Sequence, residues 1–116
     1  MSQAFDIQIN VEEGVHLVTL KGALDTATID QLINTMLPIM TSPCPRVIFC
    51  CKDLTYLNSR SLGYFTQYHR TAMVKQGRVI FWEMSDRLLK AFDRLRVKDS
   101  LFFCETKEEG MEKFRG

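Results

Sequence analysis

Residues 53–63, DLTYLNSRSLG, directly follow the apolar run VIFCC and are the most informative stretch of this chain. The apolar run is typical of a buried strand, and the polar break Asn58-Ser59-Arg60-Ser61 predicts that a helix begins directly after it. The first N–H groups of a helix have no partner inside the helix and lie at the positive end of its dipole. A serine at this position is therefore well placed to carry a phosphate.

Strands and helices alternate along the chain after an opening hairpin, which predicts an α/β fold with a mainly parallel sheet and about four helices. The predicted strands cover residues 5–11, 15–21, 46–51, 79–82 and 101–104, and the predicted helices begin near Thr26, Ser59, Ser85 and Thr106. The uninterrupted apolar run from Val47 to Cys51 predicts that the third strand lies at the centre of the sheet, because a central strand is covered on both faces.

Capping and helix-breaking residues predict where the helices end. Asp25 or Thr26 is a suitable cap for the first helix, which extends to about Met40, and Pro38 is expected to kink or end its last turn. Gly77 is expected to stop the second helix. Thr106 and Glu109 have the spacing of a capping box for the last helix.

Length, composition and charge fit a single domain over residues 1–116. The formal net charge of +1 gives no electrostatic case for binding nucleic acid or an anionic membrane. No run of 18 apolar residues could span a bilayer, and the N-terminal sequence lacks the pattern of a secretory signal. We therefore expect a cytoplasmic protein.

The cysteines do not have the spacing of a disulfide framework or a zinc site. Cys50 and Cys51 are neighbours in a predicted strand, so their side chains point to opposite faces. No C-x-x-C motif is present, and neither histidine has finger-like spacing to a cysteine pair. Free, mostly buried thiols are expected at Cys44, Cys50, Cys51 and Cys104, with no metal.

Two motifs resemble those of the STAS domain, the family of bacterial anti-sigma factor antagonists. They are GALD at residues 22–25 and DLTYLNSRSLG at residues 53–63, and the order of elements resembles the STAS fold over nearly the whole chain. Three positions depart from the family pattern. Asn58 replaces the usual Asp, Arg60 replaces the usual Ser or Thr, and Ser61 replaces the usual Gly.

The resemblance implies a protein-binding switch controlled by phosphorylation. Unmodified, the protein would bind an anti-sigma factor or a related serine kinase; phosphorylation of Ser59 would end binding, and a phosphatase would restore it. Ser61 is the alternative acceptor. The implied partner-binding residues are Asp25, Asn58, Ser59, Arg60 and Tyr64, with Gln67 and Arg70 as further candidates on the same helix. The alternative is a purely structural role, in which Asn58 or Ser59 only caps the helix. At most a weak homodimer is expected.

Two other residues of the motifs carry structural expectations. Asp53 is expected to form a turn after the central strand, since aspartate side chains bond to nearby backbone groups. The resemblance implies that Gly63 lies where a side chain would crowd the sheet.

A STAS subunit of a transport complex or signalling scaffold, which is not phosphorylated, is the alternative function, and the altered NSRS sequence makes it credible. An enzyme is not expected. No G-x-S-x-G or phosphate-binding glycine loop is present, and nothing in the sequence orients His16 or His69 as a base. No cofactor is expected.

Elemental analysis tests the interpretation of the cysteines. The protein purified under reducing conditions should contain well under one zinc per chain, and a thiol titration in denaturant should count all four cysteines of the sequence. One tightly bound zinc per chain would contradict this interpretation.

Overall fold

A five-stranded sheet organises the molecule, of which the computed structural model describes residues 5–94 and 101–115, with side chains described through residue 90 and again from residue 101. The strands are β1 (Asp6–Glu12), β2 (Val15–Leu24), β3 (Arg46–Leu57), β4 (Arg78–Trp82) and β5 (Phe102–Cys104). The helices are α1 (Ile29–Met40), α2 (Ser59–Val74), α3 (Asp86–Arg94) and α4 (Lys107–Glu112). The predicted order of elements is confirmed.

The strands lie in the order β1-β2-β3-β4-β5, so each strand is next to its neighbours in the chain. β1 pairs antiparallel with β2, and the other three pairs are parallel. The prediction that the third strand is central is confirmed, and residues 47–49 of that strand are fully buried. Because four strands run in the same direction, the loops that carry Asp25, Asn58 and Glu83 all leave the sheet at one end.

Each face of the sheet has its own apolar core, because successive strand residues point to opposite faces. On one face α1 and α2 pack against a cluster in which the ring of Phe49 lies 5.1 Å from that of Phe65 and 5.5 Å from that of Phe81. On the other face the short helix α4 places Met111 against Ile48 and Ile80.

Ion pairs hold α4 over the hairpin. Lys107 Nζ lies 2.8 Å from Glu12 Oε1, and Arg115 Nη2 lies 3.1 Å from Glu13 Oε2. The hydroxyl of Thr106 accepts the N–H of Glu109 at 3.1 Å, which confirms the predicted cap of this helix. These exposed pairs add little stability individually, but they orient a helix of only six residues.

Strands β2 and β3 are longer than the sequence predicted. β2 continues through Gly22 to Leu24, and β3 continues from Cys51 to Leu57, so the first three residues of GALD and the first five of DLTYLNSRSLG are strand. The predicted turn at Asp53 is wrong, because Asp53 is an exposed strand residue that pairs with Lys21. The pattern was misleading because β3 loses its continuous apolar character beyond Cys51, where only Leu54 and Leu57 are buried and the other residues face solvent.

The start of α1 also differs from the prediction. The helix begins at Ile29 rather than near Thr26, and Thr28 occupies the capping position without a capping bond from its side chain. Residues 26–28 form a turn instead. Pro38 lies in the last turn, and the helix ends two residues later at Met40.

α2 ends before Gly77, as predicted, but Gly77 is not the residue with left-handed geometry. That residue is Gln76, with φ 62°, and the N–H groups of Gln76 and Gly77 donate to the carbonyls of Met73 and Ala72 at 3.1 and 2.7 Å. This is the bond pattern of a Schellman motif. Gly77 is required for space, because a Cβ there would lie 1.9 Å from the Pro45 carbonyl oxygen.

The expectation that a side chain at position 63 would crowd the sheet is wrong. Gly63 lies on the exposed side of α2, and a Cβ built on it meets no atom within 4 Å. The side chains that face the core in this turn are Ser61 and Leu62. The helical periodicity explains the error, since a residue two positions after a buried one points away from the core.

Two glycine substitutions should therefore have opposite effects on the free energy of unfolding. Gly63→Ala should stabilise the protein by about 0.5–1 kcal/mol, because alanine favours the helix and restricts the unfolded chain. Gly77→Ala should destabilise it by about 1–3 kcal/mol, because the new methyl group overlaps the Pro45 carbonyl. Urea denaturation at 25 °C measures both changes. Destabilisation by Gly63→Ala would contradict the exposed placement.

Candidate functional site

The two sequence motifs meet at one end of the sheet. Leu24 and Leu57 are paired in the parallel register of β2 and β3, so the chain leaves both strands at the same level. Asp25 and Asn58 are the next residues, and each leads toward a helix on the same face of the sheet. The strand pairing therefore positions the two loops side by side.

Asn58 and Ser61 organise the start of α2. Asn58 has extended backbone geometry, and its Oδ1 atom accepts the N–H of Ser61 at 2.9 Å, as expected for a helix cap. The hydroxyl of Ser61 lies 2.7 Å from Asn58 Oδ1 and 3.0 Å from the carbonyl oxygen of Leu24. Its single proton serves these two acceptors. Ser61 is fully buried, so it joins the end of β2 to the first turn of α2.

The carboxylate of Asp25 is occupied within its own loop. Its Oδ1 accepts the N–H groups of Ala27 and Thr28 at 3.0 and 3.2 Å. The hydroxyl of Thr28 donates to the Ala23 carbonyl at 2.8 Å and accepts the Asp25 N–H at 2.9 Å. Asp25 is half-buried, so its first role is to hold the shape of the loop beside α2.

The remaining predicted residues lie on or near the outer side of α2. Ser59 is its first residue and is exposed. The Arg60 guanidinium lies 5.9 Å from the centre of the Tyr64 ring, a distance at which a cation and an aromatic face attract. Tyr64 is half-buried against Tyr68, whereas Gln67 and Arg70 are exposed further along the helix.

The comparison with protein families matches residues 6–110 to the STAS domain. The chain belongs to the STAS domain family. A curated relative is 23% identical over 107 residues, which cover 92% of this chain and 97% of the relative. It is the anti-sigma-B factor antagonist of Bacillus subtilis.

Solved structures share the STAS fold. An anti-sigma factor antagonist from Mycobacterium paratuberculosis superposes with a TM-score of 0.86 at 13% identity, with all of both chains covered. The anti-sigma factor antagonist SpoIIAA in its unphosphorylated form superposes with a TM-score of 0.76 at 22% identity and 97% coverage of each chain. The phosphorylated form of the Bacillus SpoIIAA protein superposes with a TM-score of 0.71 at 20% identity, covering 97% of this chain and all of that one.

Two contacts at this end of the STAS fold were not predicted. One is the bond from Ser61 to the Leu24 carbonyl, and the other is the bond from the Arg87 guanidinium to the Thr55 carbonyl, which ties the start of α3 to the end of β3. The spacing of Asn58 and Ser61, the cap and the third helical residue, was a signal for their mutual hydrogen bonds but not for the bond to Leu24, which joins residues 37 positions apart. Nothing in the local sequence indicates the second, because it joins residues 32 positions apart.

Within the part of the chain that the structure describes, His69 shows no catalytic arrangement. His69 is buried against Phe102, with 5.4 Å between ring centres, and its Nδ1 has no hydrogen-bond partner. Burial lowers the pKa of His69, helped by the positive charges of Arg70 and Arg78. A neutral, packed imidazole with no orienting carboxylate fits a core residue better than a general base.

Thiol reactivity and metal binding have little structural support. Burial is the main cause that raises the pKa of the Cys51 thiol well above its usual value and that of Cys104 to about 11. Cys44 is the exposed cysteine. Within residues 5–94 and 101–115, no group of three or more His, Cys, Asp or Glu side chains could hold a metal ion.

None of the described helices is long and apolar enough to cross a membrane.

Substitution of the two serines should separate their roles. Ser61→Ala should lower the free energy of unfolding by about 1–2 kcal/mol, because it leaves the Leu24 carbonyl without its hydroxyl partner in a buried position. Ser59→Ala is the matched control, and the exposed position should limit its effect to about 0.5 kcal/mol. Urea denaturation compares the two variants. Equal effects would show that the hydroxyl of Ser61 does not hold the junction.

Proposed function

We propose that this protein is a cytoplasmic protein-binding switch of the anti-sigma factor antagonist type, with Ser59 as its phosphorylated residue. The observation that carries the proposal is the placement of Ser59. It is an exposed serine at the start of α2, and it lies at the sheet end where the two family motifs meet. Relatives of this fold include an antagonist whose structures are described in unphosphorylated and phosphorylated forms.

Ser59 is favoured over the alternative acceptor Ser61. A kinase must bring the hydroxyl oxygen into line with the transferred phosphoryl group. Ser61 is fully buried, and its hydroxyl is bonded to Asn58 and Leu24, so its modification would require the first turn of α2 to open. Ser59 needs no such opening, because it is already exposed.

The charge of α2 gives the switch a physical basis. Its outer side carries Arg60 and Arg70, and no Asp or Glu occurs between Ser59 and Val74. A partner that binds this side would therefore present acidic or neutral groups. A phosphate adds about −1.5 to −2 charges, which would oppose such a partner. The helix dipole would tolerate the phosphate, so the fold would remain intact while the interface is lost.

The proposed partners follow from this cycle. An anti-sigma factor or related serine kinase would bind the unmodified protein through Ser59, Arg60 and Tyr64, beside the loop shaped by Asp25 and Asn58. A phosphatase would remove the phosphate and restore binding. The chain itself would act by binding and not as an enzyme.

Phosphorylation by kinase-like ATPases encoded in the same genome tests the acceptor. Each purified ATPase is incubated with the protein and ATP, and the modified residue is located by mass spectrometry. One such ATPase should phosphorylate Ser59, and Ser59→Ala should abolish incorporation. Ser85→Ala is the matched control. Ser85 is an exposed serine that follows a parallel strand, and its hydroxyl oxygen accepts the N–H of Leu88 in the first turn of α3.

Calorimetric titration of the same ATPase tests the switch. Ser59→Asp should weaken binding at least tenfold, equivalent to about 1.4 kcal/mol, because it puts a negative charge in the interface. Ser59→Ala and Ser85→Asp should bind within about threefold of the wild type. Unchanged affinity of Ser59→Asp, with no phosphate on Ser59 or Ser61 in cells, would reject the switch and favour the subunit that is not phosphorylated.

A further inference from the structure

A groove opens at the carboxyl ends of β4 and β5, away from Ser59. Its volume is about 550 Å³, which lies in the range of ligand-binding clefts. Its apolar lining residues are Phe81, which is fully buried, with Met84, Leu89 and Phe103, and we call this set its floor. The floor therefore offers room and apolar contact for a side chain from another molecule. We call this feature the β4–β5 groove.

Acidic residues surround the β4–β5 groove. Glu83, Asp86, Glu105 and Glu109 line it, and all four are exposed. No lysine or arginine is among its described lining residues. Within the described part of the chain, none of these carboxylates forms an ion pair. The groove therefore has a negatively charged rim.

Two cations near the groove in sequence are bound elsewhere. Arg87, next to Asp86, donates to the Thr55 carbonyl. Lys107 on α4 pairs with Glu12 of the hairpin at 2.8 Å. Both bonds contribute to the packing of the helices that carry them, so these cations are not positioned to cancel the charge of the rim.

The backbone holds one of these carboxylates in place. Glu83 has φ 58°, a left-handed geometry that is uncommon for a residue with a side chain, and its N–H donates to the Cys104 carbonyl at 3.3 Å. Cys104 also lines the groove. Burial is the main cause that raises the pKa of Cys104 to about 11; the charge of Glu109 raises it further, whereas a backbone hydrogen bond from Gly110 and the charge of Lys113 lower it.

We propose that the β4–β5 groove binds a basic segment of a partner protein, in which an apolar side chain is flanked by lysines or arginines. The apolar side chain would occupy the floor and leave water, while the flanking cations would pair with the carboxylates of the rim. This pairing would also relieve the repulsion between those carboxylates. The inference is independent of phosphorylation at Ser59, since no residue of the groove belongs to that site.

The shape of the rim favours a segment over a single metal ion. A metal ion needs several ligands that converge on one point, and no such group of His, Cys, Asp or Glu exists among the residues that the structure describes. The carboxylates instead border an opening with an apolar floor. An anionic partner such as a nucleic acid would be repelled by the same rim.

Binding of a capped, fluorescent hexapeptide tests the charge complementarity. The probe has Leu-Phe at its centre and Lys-Arg on each side, and the control probe carries Glu in place of every Lys and Arg. The basic peptide should bind saturably and more weakly at high salt. Glu83→Gln combined with Glu105→Gln should weaken binding at least tenfold. Asp6→Asn combined with Asp30→Asn, which changes net charge equally at exposed sites elsewhere, should leave it within twofold.

Methyl-labelled methionine NMR locates the peptide. The Met84 methyl signal should shift saturably with the basic peptide, whereas that of Met73, 44% exposed on α2, should not. Binding of the acidic peptide with equal affinity, an unchanged affinity of the Glu83/Glu105 variant, or equal shifts at Met73 would overturn the proposal. So would displacement of the peptide by millimolar Mg²⁺ at constant ionic strength, which would indicate a cation site. Ser59→Asp should bind the basic peptide with the affinity of the wild type, because Ser59 is not part of the groove. This result separates the groove from the proposed phosphorylation switch.

Discussion

The parallel pairing of β2 with β3 is the constraint on which the rest of the structure depends. Both strands run three or more residues beyond their apolar stretches, and the pairing of Leu24 with Leu57 brings their ends to one level. If this pairing ended earlier, the Asp25 loop and the start of α2 would separate.

The geometry of α2 gives the two serines of the NSRS sequence different roles: Ser61 is a buried structural residue, and Ser59 is a surface residue. Positions two apart on a helix point in different directions, so exposed Ser59 and buried Ser61 cannot exchange functions. Ser61 occupies the position of the usual family glycine, and its hydroxyl joins Asn58 to the Leu24 carbonyl. The departure from the family pattern therefore adds a bond at the junction while it leaves an exposed serine available at its edge.

The carboxyl end of the sheet carries two surfaces of opposite charge. The start of α2 presents Arg60 and no acidic residue, whereas the β4–β5 groove is bordered by carboxylates such as Glu83 and Glu105. The hydrogen bond from Arg87 to the Thr55 carbonyl ties the start of α3 to β3. A partner with an acidic patch and a basic segment could contact both surfaces, and modification of Ser59 would then weaken one contact while the other remains.

The sequence by itself determined the order of elements, the central position of β3, the start of α2 and the family motifs, because periodicity and capping are local properties. It did not determine how far β2 and β3 extend, since pairing through Leu24 and Leu57 depends on a neighbouring strand. The exposure of Gly63 and the burial of Ser61 were also decided by the rotation of α2 on the sheet. The β4–β5 groove joins residues from distant elements, so only the tertiary structure shows that their carboxylates meet.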